Sequence, residues 1–242
     1  MVNALILAGD EDSNGQPKAL LKIKSMYMIE YVIKALRESG VISKIYVTGN
    51  EALNEKISDI VDGFIKSNGS IMNNIRNSIK QIGDYNNPIL ICTSDIPMVK
   101  GEAIRDFVKR CEEMGLDVGY PIIDKRLNDD KYPEVKRTYV KMKEGVYTGG
   151  NIVYINPKVA ENCTKKAEQL IEYRKKPLKM GQVLGFSFLL RLAFGILPVK
   201  DVEKKICSMF QVKGAAIATP YPEIGNDVDK EADIDFVNKY IS

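Results

Sequence analysis

Short apolar runs alternate with segments of helical periodicity along the first half of the chain. Apolar runs bounded by turn residues predict strands at 4–8, 44–48, 63–66 and 89–93. Apolar positions with a helical period predict helices at 28–39, 51–61, 72–82 and 102–114. The run at 89–93 is apolar throughout, as expected for a central parallel strand. This alternation predicts an α/β domain in which helices cover both faces of a parallel sheet.

The pattern changes in the second half. We expect a strand that starts within 117–121, an alternating edge strand at 137–143, strands at 150–155 and 214–219, and helices at 158–173, 179–196, 199–210 and 230–240. No repeat, low-complexity tract or clean linker divides the chain. The sequence therefore predicts one domain over 1–242 with a helical insertion at roughly 157–213.

Composition excludes several classes of function. The 35 Lys and Arg residues against 32 Asp and Glu residues leave a formal charge of +3, too balanced to indicate a nucleic-acid partner. The chain has no histidine, which removes histidine triads, histidine-ligated zinc and most general acid–base schemes near neutral pH. Four cysteines without C-x-x-C spacing, and no evident signal peptide, favour a cytoplasmic protein with reduced thiols.

The most informative motif lies where the first strand ends. Leu7-Ala8-Gly9 closes the apolar run, a polar loop follows, and Pro17-Lys18 leads the chain back over the carboxyl end of the strand. Free backbone N–H groups and one cation are what a triphosphate requires. Lys18 is the candidate that stabilises charge during phosphoryl transfer, although a lysine there is often simply solvated. Lys22 is a surface residue or a secondary phosphate contact.

An aspartate follows the central strand. Asp95 lies directly beyond the run at 89–93, at the edge where open α/β sheets bind ligands. Mg²⁺ prefers one or two carboxylates together with phosphate and water oxygens. We therefore expect Asp95 to be a catalytic residue and a magnesium ligand; the competing interpretation is a helix N-cap.

Leu7-Ala8-Gly9 with Pro17-Lys18, together with Asp95-Ile96-Pro97, resembles the signature of nucleotidyltransferases with a glycosyltransferase-A-like, Rossmann-like fold. The molybdenum-cofactor guanylyltransferase and the isoprenoid cytidylyltransferase are members. The resemblance implies a three-layer α/β sandwich with a mixed, mostly parallel sheet. It also implies a Mg²⁺ cofactor and transfer of a nucleoside monophosphate from a nucleoside triphosphate to a small, phosphorylated acceptor, with release of pyrophosphate. Most members carry a second Gly and an Arg in the loop, where this chain has Asp10 and Asp12.

The same resemblance implies roles for three later segments. The acidic stretch near the C-terminus supplies a second metal ligand in the family, which here is Asp227 or, with the motif slid by two residues, Asp229. Asp233 fits the start of the last helix better. An acidic loop of this kind is otherwise usually just solvated.

Asn68, Gly69 and Ser70 match the family segment that holds the base and sugar. A ligand could approach the backbone closely at Gly69, and the amide of Asn68 and the hydroxyl of Ser70 could form hydrogen bonds with it. A plain strand-to-helix turn with Ser70 as N-cap is the alternative. Gly150 and Asn151 match an acceptor-binding stretch more loosely, and a bulge or hairpin turn explains them nearly as well.

The segment 181–199 is almost wholly apolar, interrupted by Gln182, Ser187 and Arg191. Basic residues precede it at 174–176 and 179. It approaches the length of a membrane span, but Arg191 at mid-span opposes insertion. A buried or lid helix, a homodimer contact, and a membrane-surface or lipid-substrate face all remain open.

The predicted function is therefore a nucleotidyltransferase. Leu7, Ala8, Gly9, Lys18 and Asp95 would bind the nucleotide with the 68–70 segment. One rival is a nucleotide-sugar-dependent glycosyltransferase of the same fold, which usually carries Asp-x-Asp where this chain has Ser94-Asp95-Ile96. A non-catalytic nucleotide-binding homologue is the other. A dinucleotide dehydrogenase is disfavoured because no G-x-G-x-x-G follows the first strand.

Overall fold

The structure is a computed structural model that describes residues 1–12, 15–173, 176–229 and 232–241. Its strands, in chain order, are β1 (Val2–Ala8), β2 (Lys22–Ile23), β3 (Met26–Tyr27), β4 (Ile42–Gly49), β5 (Gly63–Lys66), β6 (Ile89–Thr93), β7 (Val118–Asp124), β8 (Val140–Lys141), β9 (Val146–Gly149), β10 (Ile152–Ile155) and β11 (Gly214–Ala218). Its α-helices are α1 (Met28–Glu38), α2 (Glu51–Ile57), α3 (Ile71–Ile82), α4 (Gly101–Glu113), α5 (Lys125–Lys131), α6 (Pro157–Tyr173), α7 (Pro177–Leu184), α8 (Phe186–Ala193), α9 (Val199–Phe210) and α10 (Ala232–Tyr240).

One mixed sheet organises the domain. Within the described residues it has nine strands in the order β5-β4-β1-β6-β10-β7-β9-β8, and β11 pairs with β7 on the side away from β10. Strands β1, β4, β5, β6, β7 and β11 run in one direction, while β9 and β10 run against them. The expected α/β class with a mixed, mostly parallel sheet is therefore confirmed.

Side chains that alternate along β1 build the two cores. Ala4 and Ile6 pack into the larger core, which α1 and α4 cover. Leu5 points to the opposite face and packs with Ile79 of α3 and Cys163 of α6. Since successive residues of a strand face opposite sides of a sheet, one short buried strand serves both helical layers. The result is a three-layer sandwich in which α6, the first helix of the predicted insertion, shares a layer with α3.

Several predicted elements differ in detail. The predicted edge strand at 137–143 is reduced to the two residues of β8, and the sequence analysis missed α5, β9 and the small β2–β3 hairpin. The single helix predicted at 179–196 is wrong: α7 and α8 are separate, because Gly185 between them has a φ of +98° that a helix does not accommodate. Residues 230 and 231 of the predicted last helix lie outside the described residues.

The α7–α8 segment carries exposed apolar side chains, including Leu178, Phe186, Leu190 and Phe194. Arg191 forms an ion pair with Asp201 of α9. Among the described residues, every helix is too short or too polar to cross a membrane. Arg174 and Lys175, which belong to the predicted basic flank, lie outside the described residues.

Candidate functional site

Four segments that are distant in sequence meet where β1, β6 and β11 end, which we call the carboxyl edge. Backbone hydrogen bonds hold them together. The N–H of Ser94 donates to the carbonyl of Leu7 at 3.1 Å, and the N–H of Val228 donates to that of Asp95 at 2.8 Å. The N–H of Thr93 donates to the carbonyl of Asn151 at 3.1 Å. These bonds place the loop after β1, the turn after β6, the start of β10 and the 224–229 loop side by side.

Lys18 reaches into this junction from a short 3-10 helix, Lys18–Leu20, which follows Pro17. Its backbone N–H donates to the carbonyl of Asp10 at 2.9 Å and closes the preceding loop. Its Nζ lies 3.3 Å from Asp229 Oδ1 and 3.9 Å from Asp95 Oδ2. The ammonium group therefore faces two acids that the sequence places 77 and 211 positions further along.

Three carboxylates meet at this junction, and two of them pair with the ammonium group. Asp95, Asp227 and Asp229 each present an oxygen within 4.8 Å of the others. Asp229 is exposed, whereas Asp95 and Asp227 are partly buried. Oxygen donors from carboxylates are the ligands that Mg²⁺ prefers, so the chemistry of the set suits that ion.

The electrostatics of Asp95 support the same assignment. Burial raises the pKa of its carboxyl, the charge on Asp227 raises it further, and Lys18 lowers it. The Thr93 hydroxyl lowers the pKa as well. Asp95 Oδ1 is buried and has no hydrogen-bond partner among the described residues. A buried carboxylate oxygen without a partner is costly, and a cation would remove that cost.

Arg137 is a site residue that the sequence analysis missed. Its Nη1 donates to Asp227 Oδ1 at 2.5 Å, and its Nε donates to Thr148 Oγ1 at 3.4 Å. Asn151 Nδ2 contacts the same Asp227 oxygen at 3.4 Å. The guanidinium group thus holds Asp227 toward the other two acids. A single arginine in a polar segment gives no local pattern that would mark it as a site residue. Because Arg137 and Asp227 are 90 positions apart, the sequence does not indicate that they pair.

The segment predicted to bind base and sugar lies against the end of β1. A Cβ placed on Gly9 would have Ser67 Cβ at 3.8 Å and Asn74 Nδ2 at 3.9 Å as its nearest neighbours among the described residues. Gly69 has a φ of +86°, which explains the glycine. Ser70 caps α3 by accepting the N–H of Asn73 at 3.3 Å, as the alternative interpretation proposed. The cap and a ligand role are compatible, since Asn68, Gly69 and Ser70 are all exposed.

Gly150 and Asn151 occupy different surroundings. Gly150 is buried, and a Cβ there would lie 2.7 Å from Ile224 Cγ2 and 2.8 Å from Pro121 Cγ, so close packing alone requires the glycine. Asn151 contributes its side chain to the junction, where Nδ2 also donates to the carbonyl of Gly225 at 3.2 Å. Asp233 accepts the backbone N–H of Asp229 at 2.9 Å and so supports the acidic loop from α10.

The chain is similar in sequence to one described family. A model of the MobA-like NTP transferase domain matches residues 4–172, which includes Lys18 and Asp95. A comparison with curated proteins finds no sequence match.

Solved structures show the same architecture. A hypothetical transferase from Thermus thermophilus has 28% identity and a TM-score of 0.85, over 97% of this chain and 100% of that one. A CMP:2-keto-3-deoxy-manno-octonic acid synthetase in complex with CTP has 14% identity and a TM-score of 0.64, over 98% and 97%. A 4-diphosphocytidyl-2C-methyl-D-erythritol synthase from Anaerococcus prevotii has 12% identity and a TM-score of 0.64, over 99% and 95%. At these identities the last two show the fold alone.

Proposed function

We propose, from the premise that this chain belongs to the MobA-like NTP transferase domain family, that it transfers a nucleoside monophosphate from a nucleoside triphosphate to a small phosphorylated acceptor. An oxygen of the acceptor forms the new bond to the α-phosphorus. The bond from that phosphorus to its bridging oxygen breaks, and pyrophosphate leaves. The observation that carries the proposal is the meeting of Lys18 with Asp95, Asp227 and Asp229 at the carboxyl edge.

The three acids are the proposed magnesium ligands. Asp95 and Asp227 are the principal ones, and Asp229 is the more exposed third. When bound there, Mg²⁺ would offset the negative charge of the triphosphate oxygens. Arg137 and Asn151 keep Asp227 oriented, so this ligand is positioned before the ion arrives.

Lys18 is the proposed charge stabiliser. In the free protein its ammonium group lies between carboxylates, and in the complex it would face the phosphate oxygens on which charge accumulates during transfer. A fixed cation in a partly enclosed site acts without the reorganisation that water would require. Since positioning and electrostatics suffice for this chemistry, the absence of histidine is no obstacle.

Leu7, Ala8 and Gly9 are the proposed platform for the nucleotide, together with the 68–70 segment. Gly9 is exposed and leaves the backbone bare beside Ser67, so a flat group can approach closely. Cytidine triphosphate is the first nucleotide to test, because CTP is named for one structural neighbour and cytidine for the other. Asn151 is the proposed acceptor contact, since it lies at the junction beside Asp227.

The experiment measures pyrophosphate release with each of the four nucleoside triphosphates, Mg²⁺, and a panel of phosphorylated sugars, alcohols and cofactor precursors. We expect one nucleotide–acceptor pair to release pyrophosphate. Lys18→Ala should lower that rate by about 10²–10³-fold, because it removes a charge-stabilising group from the site. Lys34→Ala, which changes an exposed lysine of α1, is the matched control and should keep the wild-type rate.

Three results would count against the proposal. No pyrophosphate release with any pair would favour a non-catalytic nucleotide-binding homologue. Transfer of sugar from a nucleotide-sugar, without pyrophosphate release from triphosphates, would favour the glycosyltransferase. A Lys18→Ala variant with wild-type turnover would show that the site is assigned wrongly.

A further inference from the structure

The short helix α8 is apolar but does not belong to the core. Six of its eight residues are apolar, and none of the eight is buried. Phe186, Leu190 and Phe194, the residue that follows the helix, lie four positions apart and therefore on one side of it. These three side chains are 54%, 59% and 71% exposed, and Leu178 of α7 is 73% exposed. Packing within the domain does not account for this apolar face, which is typical of a contact surface.

Both ends of the α7–α8 segment are fixed at the carboxyl edge. Before the segment, Glu168 of α6 accepts the hydroxyl of Ser70 at 3.1 Å, where β5 leads into α3. After it, the carbonyl of Leu197 accepts the N–H of Lys143 at 3.0 Å, in the turn between β8 and β9. That turn lies beside the end of β7, with which β9 pairs. The apolar face is therefore on the same side of the domain as the candidate site.

The charge of this segment has one sign. Between 173 and 200 the sequence has no Asp or Glu and six basic residues, which are Arg174, Lys175, Lys176, Lys179, Arg191 and Lys200. Lys176 pairs with Glu172 at 3.0 Å, just before this stretch. Arg191 pairs with Asp201 at 2.8 Å, just after it. Both pairs are exposed and exposed ion pairs are weak, so the segment stays available to an anionic partner.

We propose that the α7–α8 segment docks on a membrane surface that contains anionic phospholipids. The apolar side chains would enter the boundary between headgroups and acyl chains, and the basic residues would lie close to the lipid phosphates. The contact is peripheral, since no described helix is long and apolar enough to cross a bilayer. Docking would bring the carboxyl edge close to the lipid.

A second copy of this chain is the competing occupant of the apolar face. In a dimer with two-fold symmetry the same surface of each copy meets the other. The basic residues of the two copies would then lie close together, and no acid between 173 and 200 would offset their repulsion. An anionic lipid surface has the opposite charge. The charge of the segment therefore favours the membrane.

Co-sedimentation of the full-length protein with lipid vesicles tests the docking. Vesicles of phosphatidylcholine with about 30% phosphatidylglycerol are compared with vesicles of phosphatidylcholine alone. We expect at least about tenfold tighter binding to the anionic vesicles, because several basic residues contribute to it. That difference should be lost at about 1 M salt, where charges are screened over a few ångströms.

Phe194→Ser should weaken binding to the anionic vesicles by about tenfold, because it removes apolar area that the lipid would bury. Met114→Ser changes an exposed apolar residue at the opposite end of the sheet, where α4 leads into β7, and should bind like the wild type. Lys179→Glu should also weaken binding by about tenfold. Lys34→Glu makes the same change of charge on α1 and should change binding by less than about twofold.

Other outcomes overturn the docking. Equal binding of the wild type to both kinds of vesicle, or no binding to either, would contradict it. Equal losses in Phe194→Ser and Met114→Ser would place the contact elsewhere. A dimer in sedimentation velocity that Phe194→Ser dissociates, without vesicle binding, would show that a second copy covers the face. Thermal unfolding of each variant verifies that the fold is kept, and none of these measurements depends on pyrophosphate release.

Discussion

Acidic residues at the two edges of the sheet differ in hydrogen bonding and in pKa. At the edge where β1, β6 and β7 begin, which we call the amino edge, Asp84 accepts hydrogen bonds from the side chains of Asn3 and Asn87 and from the backbone N–H groups of 86 and 87. These bonds hold its pKa down, at about 2. Asp117 accepts from Asn156 Nδ2 at 3.0 Å and from the N–H of Lys213 at 2.9 Å.

At the carboxyl edge, Asp95 has fewer hydrogen bonds and a raised pKa. Asp95 is more buried than Asp84, its Oδ1 has no partner among the described residues, and burial raises its pKa. Asp84 and Asp117 at the amino edge join neighbouring turns through hydrogen bonds. The N–H groups that donate to them compensate their negative charge within the folded protein. Asp95 Oδ1 at the carboxyl edge lacks that compensation among the described residues, so it costs stability in the free protein and is suited to a cation supplied from outside. Hydrogen-bond satisfaction therefore distinguishes Asp95 from Asp84 and Asp117.

The largest effect is expected from exchanging one acid at each edge for its amide. Asp95→Asn should lower pyrophosphate release by about 10²–10³-fold or more, because it removes a proposed metal ligand. The same change should leave the free energy of unfolding without Mg²⁺ unchanged, or raise it by up to about 1 kcal/mol, since a buried and poorly compensated charge is lost. Pyrophosphate release and chemical denaturation measure the two effects.

Asp117→Asn is the counterpart at the amino edge. It should retain catalytic activity but lower the free energy of unfolding by about 1–3 kcal/mol, because it weakens charged hydrogen bonds that join the starts of β7 and β11. If Asp95→Asn were the destabilised and active variant of the two, the contrast between the edges would be wrong.

A smaller effect is expected from two glycines at the carboxyl edge. A methyl group on Gly9 would meet no atom of the described residues closer than 3.8 Å, so Gly9→Ala should fold normally. The methyl would occupy the space proposed for the nucleotide and should weaken its binding by about tenfold, or about 1.4 kcal/mol. Calorimetric titration with the preferred nucleotide measures this loss.

Gly49→Ala gives the complementary result. A methyl there would lie 2.7 Å from Leu53 Cδ2 and 3.0 Å from the carbonyl oxygen of Ala8, so the substitution should cost about 1–3 kcal/mol of stability. Thermal unfolding of both glycine variants completes the comparison. Normal nucleotide affinity in Gly9→Ala would show that the nucleotide lies elsewhere.

The smallest effect concerns the pH dependence of stability at the amino edge. Asp84 has a pKa of about 2 in the folded protein against 3.8 for its ordinary value. Since the folded pKa is the lower one, its contribution is complete above about pH 4 and is lost as the pH falls toward about 2. The difference in unfolding free energy between the wild type and Asp84→Asn should therefore shrink over that window. A constant difference across the window would argue against this role of Asp84.

Prediction from the sequence succeeded where the signal was local and periodic. The strands β1, β4 and β6 and the helices α1, α3 and α4 are marked by runs and periods of apolar residues that reflect burial on one or both sides. It failed for β9 and α5 and made β8 too long; all three elements are short and polar. Such elements are stabilised by neighbours rather than by their own pattern, as the pairing of β9 with both β7 and β8 illustrates.

The sequence by itself determined the order along the chain of the strands and helices that have a clear apolar pattern. It also determined which residue types could bind a triphosphate. Both follow from local pattern and side-chain chemistry. Only the tertiary structure decided that Asp95 Oδ1 has no hydrogen-bond partner among the described residues, that Arg137 holds Asp227 across 90 positions, and that Asn74 Nδ2 lies beside Gly9. Burial, partnership and orientation depend on which distant segments the packing brings together, and no local stretch of sequence contains that information.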